Sequence, residues 1–257
     1  MPIAATDPFP QEKSNLLVVH GEKGGVGKSF LASLAASRAL RLGLPIHVIE
    51  TDSGVPDVGP RFVGRPFCEV SAISLDRAAS VGETLSDLLG GIEAMLSAPQ
   101  PPALIVVNSP AGASEVLDAY AEIFASIADA LAIDLTVGFV VDNSSAVLPR
   151  IESSMKTGLL SIKTARRSLI YAGWLGPIEN FPIAKSDTRR AALASGLVEL
   201  QFPALVSPFL DLVRKTQAPF YELTNSPGLK LVDRSFISRW LNQCEPVSDF
   251  LVGVEND

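Results

Sequence analysis

The sequence predicts an α/β fold in which a mostly parallel, twisted β-sheet is flanked by helices on both faces. Short apolar runs alternate with longer helical segments, as expected when crossover helices connect parallel strands. The apolar runs lack polar alternation, which is typical of strands that are covered on both sides. The chain has 257 residues, of which 47% are hydrophobic, so it is long enough to bury a large core.

The pattern assigns the elements in chain order. Six apolar runs are predicted strands: Leu16–His20, Ile46–Glu50, Leu104–Asn108, Leu135–Val141, Leu169–Gly173 and Phe202–Val206. Seven segments are predicted helices: Ser29–Leu42, Val81–Ser97, Ser114–Ala130, Ala146–Leu160, Asp187–Leu200, Phe209–Gln217 and Lys230–Leu241. We interpret residues 1–14 as a flexible arm, residues 15–242 as one domain and residues 243–257 as an acidic tail. The Gly- and Pro-rich stretch Asp52–Leu75 is the least regular part of the chain.

Composition excludes several classes of protein. The longest purely apolar run, Ala103–Val107, is far shorter than the roughly 20 residues that cross a bilayer. The first residues lack the pattern of a secretory signal. Cys68 and Cys244 lie far apart, and the chain has only two histidines, which argues against a disulfide framework or a zinc site. These features predict a cytoplasmic protein.

Charge is distributed unevenly along the chain. Residues 1–149 hold 8 basic and 17 acidic residues, a net charge of −9, whereas residues 150–257 hold 13 and 11, a net charge of +2. An acidic protein does not attract nucleic acid through its overall charge. Any contact with DNA must therefore come from a local basic patch, which we place in the second half.

A glycine-rich loop follows the first predicted strand. The segment Gly21-Glu-Lys-Gly-Gly-Val-Gly-Lys-Ser29 fits the phosphate-binding pattern GxxxxGK[ST], in which backbone N–H groups surround an anion at a helix N-terminus. Lys28 is placed to reach the β- and γ-phosphates, and the Ser29 hydroxyl to ligate Mg²⁺. The predicted nucleotide-binding residues are Gly24, Gly25, Val26, Gly27, Lys28, Ser29 and Phe30.

The stretch Lys23-Gly-Gly-Val-Gly-Lys-Ser29 resembles the deviant Walker A motif of the ParA/MinD family of ATPases, and a weaker resemblance extends from residue 15 to about residue 220. The resemblance implies a three-layer P-loop NTPase fold that binds ATP and Mg²⁺. It also implies that Lys23 reaches the ATP of the partner subunit, so that a homodimer forms when ATP binds. Hydrolysis would be slow and stimulated by a partner protein.

The same resemblance draws attention to the ends of two other strands. Asp52 matches an acid that orients the attacking water or the metal shell, and Lys23, Lys28 and Asp52 are the candidate catalytic residues. Glu50 and Asn108 stand where the family usually has aspartates. An amide can accept a hydrogen bond from a metal-bound water but carries no charge. Residues 110–112 are the predicted second switch.

The family also suggests where base and partners bind. The loops after Tyr171–Trp174 and Pro203–Pro208 are expected to form the adenine pocket. The apolar stripe on residues 229–241 is expected to pack on the core, which makes membrane binding an unfavoured role. Candidate phosphate-contacting residues for nonspecific DNA are Arg166, Arg167, Lys185, Arg189, Arg190, Arg214 and Lys215; solvated helix ends are the alternative.

The leading hypothesis is a ParA-like ATPase that partitions, positions or transfers DNA or another large cargo. An alternative is a nucleotide-gated binding module with little turnover, because Glu50 and Asn108 depart from the usual acids. A third is a small-molecule ligase or kinase of the same superfamily, although such enzymes usually lack the lysine at position 23. His20 and His47 are interpreted as strand or core histidines, and both cysteines as buried or uninvolved thiols.

Overall fold

A computed structural model describes residues 13–51, 56–73 and 81–254. Their strands are β1 (Asn15–His20), β2 (Ile46–Glu50), β3 (Cys68–Ala72), β4 (Leu104–Asn108), β5 (Asp134–Val141), β6 (Arg166–Ala172) and β7 (Val198–Phe202). They form one sheet in the order β3-β2-β4-β1-β5-β6-β7, and every neighbouring pair is parallel. The predicted fold class is therefore confirmed.

Helices cover both faces of this sheet. They are α1 (Lys28–Arg41), α2 (Val81–Leu96), α3 (Ser114–Ala119), α4 (Ala121–Ala130), α5 (Val147–Thr157), α6 (Asp187–Ala194), α7 (Phe209–Lys215), α8 (Phe220–Leu223) and α9 (Leu231–Val252). Leu17 and Val19 of β1 belong to a core cluster with α1 and α9, whereas Leu16 and Val18 belong to a second cluster with α2, α4 and α5. The alternation along a single strand thus builds two cores, and each buried side chain contributes about 1.5–3 kcal/mol.

The strand register brings the predicted site residues together. Val19 of β1 and Glu50 of β2 are both paired with Asn108 of β4. The loop after β1 therefore leaves the sheet beside the ends of β2 and β4. In open parallel sheets, ligands bind outside the carboxyl ends of the strands, so this edge is the expected location of a site.

The two edge strands were not predicted correctly. β3 was missed because it is only half-buried and contains Glu69 and Ser71, so it shows no continuous apolar run. The predicted strand Phe202–Val206 is wrong: β7 occupies residues 198–202, in a segment whose beginning was assigned to a helix. α6 ends at Ala194 because Gly196 adopts φ +89°, a left-handed conformation that terminates helices.

The last helix is longer than predicted. α9 continues past Leu241 to Val252 and includes Pro246, so most of the expected tail 243–257 is helical. Cys244, Val247 and Leu251 are buried on its inner side. Arg38 of α1 contacts Asp249 at 2.7 Å and Glu245 at 3.4 Å. These ion pairs compensate the negative charge of the two residues where α9 packs against α1. In addition, the predicted helix 114–130 is divided at Tyr120 into α3 and α4.

The amphipathic stripe of α9 is split between core and surface. Ile237, Trp240 and Leu241 are buried as expected, whereas Val232 and Phe236 are 58% and 45% exposed. Phe236 stacks on Phe209 with ring centroids 4.3 Å apart. Within the described ranges, no helix combines the length and apolar character needed to cross a membrane.

Candidate functional site

The loop between β1 and α1 has the backbone geometry of an anion cradle. Gly25 and Gly27 have φ angles of +74° and +105°, which only glycine adopts easily. Gly27 is the residue before α1, and its carbonyl accepts the N–H of Leu31 at 2.9 Å. The first N–H groups of α1 are therefore directed toward the loop, where the helix dipole favours negative charge.

This loop forms one wall of a cavity of about 530 Å³, a size typical of small-ligand sites. Of the residues predicted to bind nucleotide, all except Val26 line it. The Val26 side chain is buried in the core, so only its backbone can serve a ligand. Phe30 also packs against Phe220 and Trp240, with centroid distances of 4.8 and 5.6 Å.

The two lysines of the loop occupy different environments. Lys28 is 6% exposed, and its Nζ donates to the carbonyl oxygen of Lys23 at 3.0 Å. The Lys23 side chain is exposed. One ammonium group is thus held at the cavity and the other faces outward. Asp52, the third candidate catalytic residue, lies outside the described residues.

Glu50 and Asn108 are in direct contact beneath this loop. Both are almost fully buried, and the Asn108 amide donates to Glu50 Oε2 at 2.8 Å. Glu50 Oε1 accepts the backbone N–H groups of Val58 and Gly59, each at 2.6 Å. Both oxygens of the Glu50 carboxylate therefore accept hydrogen bonds from the protein, which the sequence pattern did not reveal.

The predicted second switch lies against the phosphate loop. Pro110 and Ala111 line the cavity, and the N–H of Gly112 donates to the carbonyl oxygen of Glu22 at 3.3 Å. Ser109, the residue after Asn108, lines the cavity as well. These contacts place the end of β4 and the loop after β1 around one volume.

Five cavity-lining residues were not assigned to the nucleotide site from the sequence: the charged residues Asp57, Arg61 and Arg214, and the serines Ser33 and Ser109. Arg61 is 6% exposed and donates to the carbonyl oxygens of Val213 and Thr216 at 3.1 and 2.8 Å. Burial lowers its pKa, although nearby Asp57 opposes this effect. Arg61 thereby joins the segment after β2 to the end of α7. The only sequence signal for Arg61 was a cation within the irregular stretch Asp52–Leu75.

Of the two loops expected to form the adenine pocket, the one after β6 contacts the phosphate loop through Trp174. Trp174, half-exposed at the end of β6, packs against Gly27 and meets Phe202 edge-on, with centroids 5.4 Å apart. Trp240 Nε1 donates to the carbonyl oxygen of Pro203 at 3.0 Å. Trp174 is therefore the aromatic side chain in this loop that contacts the cradle itself.

We expect Gly27→Ala to destabilise the loop. The added Cβ would lie 2.5 Å from Trp174 Cη2, and the φ of +105° disfavours any side chain. Displacement of the indole and backbone strain should cost about 1–3 kcal/mol of unfolding free energy. Denaturant titration followed by tryptophan fluorescence measures this loss. Gly90→Ala is the control, because its Cβ would meet nothing within 4 Å; equal stability of the two variants would contradict the expectation.

The histidines and cysteines have structural environments. His20 is fully buried against Phe139, with no hydrogen-bond partner for its ring nitrogens in the described part of the chain. Burial, assisted by Lys28, lowers the pKa of His20 to about 3, so the ring stays neutral. Burial raises the pKa of the Cys68 thiol to about 12 and raises that of Cys244 as well, which keeps both thiols protonated at neutral pH.

Most of the predicted DNA-contacting cations have protein partners. Arg167 is 7% exposed and donates to the carbonyl oxygens of Leu160 and Ser195, so the prediction that it contacts DNA is wrong. Arg189 forms a bidentate pair with Glu199, in which Nε donates to Oε1 and Nη2 donates to Oε2. The other candidates are paired or exposed: Arg166 lies 3.4 Å from Asp134, Arg190 pairs with Asp187, and Lys185, Arg214 and Lys215 are exposed.

Comparison with known proteins identifies similar folds. No protein-family model matches the chain. Protein MobD of Acidithiobacillus ferrooxidans is 23% identical over 240 residues, which cover 93% of this chain and 98% of that protein. A ParA family ATPase from Chlorobium tepidum TLS aligns with a TM-score of 0.51 and 13% identity, over 90% of this chain and 98% of that one. The MinD protein of Pyrococcus horikoshii OT3, solved with Mg-ADP, gives a TM-score of 0.49 and 14% identity, over 93% and 98%.

These comparisons agree with the motif. The chain shares its fold with the ParA family ATPase of Chlorobium tepidum TLS, so the resemblance predicted from Lys23–Ser29 is confirmed at the level of the fold. At these identities the comparison does not extend to individual side chains, whose roles rest on the geometry described above.

Proposed function

We propose that this protein is a ParA-like ATPase that binds Mg²⁺-ATP, dimerises on it and hydrolyses it slowly, to partition, position or transfer DNA or another large cargo. The observation that carries the proposal is the loop after β1. It combines left-handed glycines, a buried Lys28 and an exposed Lys23 at the edge of one cavity. A likeness to ParA family ATPases in fold supports the same assignment.

The residues present fit a magnesium–triphosphate ligand. Backbone N–H groups of residues 24–30 supply donors, and the Lys28 ammonium supplies positive charge for the β- and γ-phosphates. Ser29 lines the cavity and offers a hydroxyl oxygen to the metal. Asn108 Oδ1 is buried, and within the described ranges it has no hydrogen-bond partner, so it retains an acceptor for a metal-bound water. When bound, Mg²⁺ would neutralise charge on the phosphates.

Lys23 would act between subunits. Its exposed ammonium would contact the triphosphate held by the partner subunit, which makes assembly depend on ATP. Asp52 would orient the attacking water. For a DNA cargo, the exposed candidates Lys185, Arg214 and Lys215 suit phosphate contacts, and Arg214 also lines the nucleotide cavity.

Analytical ultracentrifugation tests this proposal. The protein should sediment as a monomer with ADP and as a dimer with a nonhydrolysable ATP analogue and Mg²⁺. Phosphate release should be slow and should rise when DNA and the partner protein are added. A monomer under both nucleotide conditions would contradict the proposal.

A second candidate is a nucleotide-gated binding module with little turnover. It is favoured by the pairing of Glu50 with Asn108. Residue 108 carries no charge, and the Glu50 carboxylate is occupied by hydrogen bonds within the protein. This version predicts ATP-dependent dimers but no phosphate release above background, even with DNA and partner protein present. Brisk release would eliminate it.

A further inference from the structure

Glu50 lies at the centre of a buried hydrogen-bond network that joins two strand ends to the following segment. It is 3% exposed, and its carboxylate receives three N–H donors, from Val58, Gly59 and Asn108. The approach is close: a Cβ on Gly59 would lie 3.2 Å from Glu50 Cγ and 2.8 Å from Val70 Cγ1. A glutamate is one methylene longer than an aspartate, and the Glu50 carboxylate thus reaches the backbone N–H groups of Val58 and Gly59 directly.

This network fixes the orientation of the Asn108 amide. A carboxylate only accepts hydrogen bonds, so Asn108 must present its NH₂ group to Glu50. Its oxygen is therefore the atom turned away, and Oδ1 is the buried atom that lacks a hydrogen-bond partner within residues 13–51, 56–73 and 81–254. An unpaired buried acceptor costs about 1–3 kcal/mol, which is recovered only if a ligand or water donates to it.

The same carboxylate also holds the segment that carries Asp57. Val58 and Gly59 follow Asp57 directly, and Asp57 lines the phosphate-loop cavity together with Ser29 and Ser109. Glu50 is therefore connected both to the segment of Asp57, which lines the cavity, and to the amide of Asn108, whose neighbour Ser109 lines it.

We propose that Glu50 is a positioning residue for the metal–nucleotide complex. It holds the Asn108 oxygen free to accept a hydrogen bond from the metal's water shell, and it fixes Asp57 at the cavity. The end of β4 therefore supplies an uncharged amide, and the carboxylate that orients this amide lies on neighbouring β2. This inference rests on the proposed nucleotide-binding function.

Glu50→Gln tests the inference with a substitution of similar volume. One end of the glutamine amide is a donor, so Asn108 must turn its oxygen toward residue 50 and leave its NH₂ group unpaired. Titration of a fluorescent ATP analogue in EDTA and in Mg²⁺ gives the factor by which the metal tightens binding. We expect this factor to fall roughly 10- to 100-fold, as for residues that orient metal ligands, with little change in affinity in EDTA.

The double variant Glu50→Gln/Asn108→Asp should restore the metal effect, because an aspartate at 108 accepts from the glutamine and keeps an acceptor oxygen. Asn108→Asp alone should reduce it, because two buried carboxylates would face each other. Glu69→Gln is the matched control, since Glu69 lies on neighbouring β3 with its side chain 82% exposed. Thermal unfolding checks that each variant is folded.

An unchanged metal effect in Glu50→Gln, or a stronger one in Asn108→Asp alone, would overturn the inference while the proposed function stands. Lack of nucleotide binding by the unsubstituted protein would overturn the proposed function, and the inference with it.

Discussion

Lys28→Ala is expected to weaken ATP binding roughly 100- to 1,000-fold, because loss of one partner of a buried, hydrogen-bonded charge pair costs about 2–5 kcal/mol of binding free energy. The Lys28 ammonium is almost completely buried beside the glycine cradle, where electrostatic interactions are less screened than in water. Fluorescence titration with an ATP analogue in Mg²⁺ measures the change.

Stability measurements separate this effect from misfolding. The Lys28 ammonium is desolvated and donates to the carbonyl oxygen of Lys23, so its removal relieves a burial cost in the free protein as well as losing that hydrogen bond. We therefore expect the free variant to unfold at nearly the same denaturant concentration as the unsubstituted protein. Binding of ATP within threefold of the unsubstituted protein would show that the phosphates bind elsewhere.

The inner part of the sheet was predictable because its strands are buried on both faces. Leu16–Val19 and Leu104–Val107 are 0% exposed, and burial on both sides produces the continuous apolar runs by which strands are recognised. β3 and β7 lie at the sheet edges and have one neighbour each. Their partly exposed side chains follow no such pattern. The positions of these two strands in the chain depend on pairing with β2 and β6, which are distant in sequence.

The candidate site was likewise predictable only in part. Its glycines and lysines lie in one short segment, where spacing alone specifies the chemistry. Arg61 and Arg214 reach the cavity from segments far apart in the chain, and no local spacing connects them to it. For Glu50, the resemblance indicated an unusual residue but not its contacts. Its hydrogen bond with Asn108 depends on the pairing of β2 with β4.

Lys23→Ala is expected to abolish ATP-driven dimerisation while leaving nucleotide affinity nearly unchanged. The hydrogen bond that ties Lys23 to Lys28 uses the backbone carbonyl of Lys23, so an alanine keeps it. The side chain itself is exposed and is available to a second subunit. Loss of one partner of a buried charge pair at an interface costs about 2–5 kcal/mol. A two-fold dimer loses two such contacts, which corresponds to a dimer dissociation constant raised roughly 1,000-fold or more.

Sedimentation velocity with a nonhydrolysable ATP analogue measures the dimer, and titration of the fluorescent analogue measures affinity in the same samples. Lys163→Ala is the matched control, because Lys163 is also exposed. It precedes β6 and therefore lies where the strands begin, whereas the phosphate loop lies where they end. Removal of either side chain lowers the positive charge equally, so a general charge effect would weaken both dimers alike. A loss confined to Lys23→Ala would locate the intersubunit contact at the nucleotide, whereas an unchanged dimer would remove Lys23 from the interface.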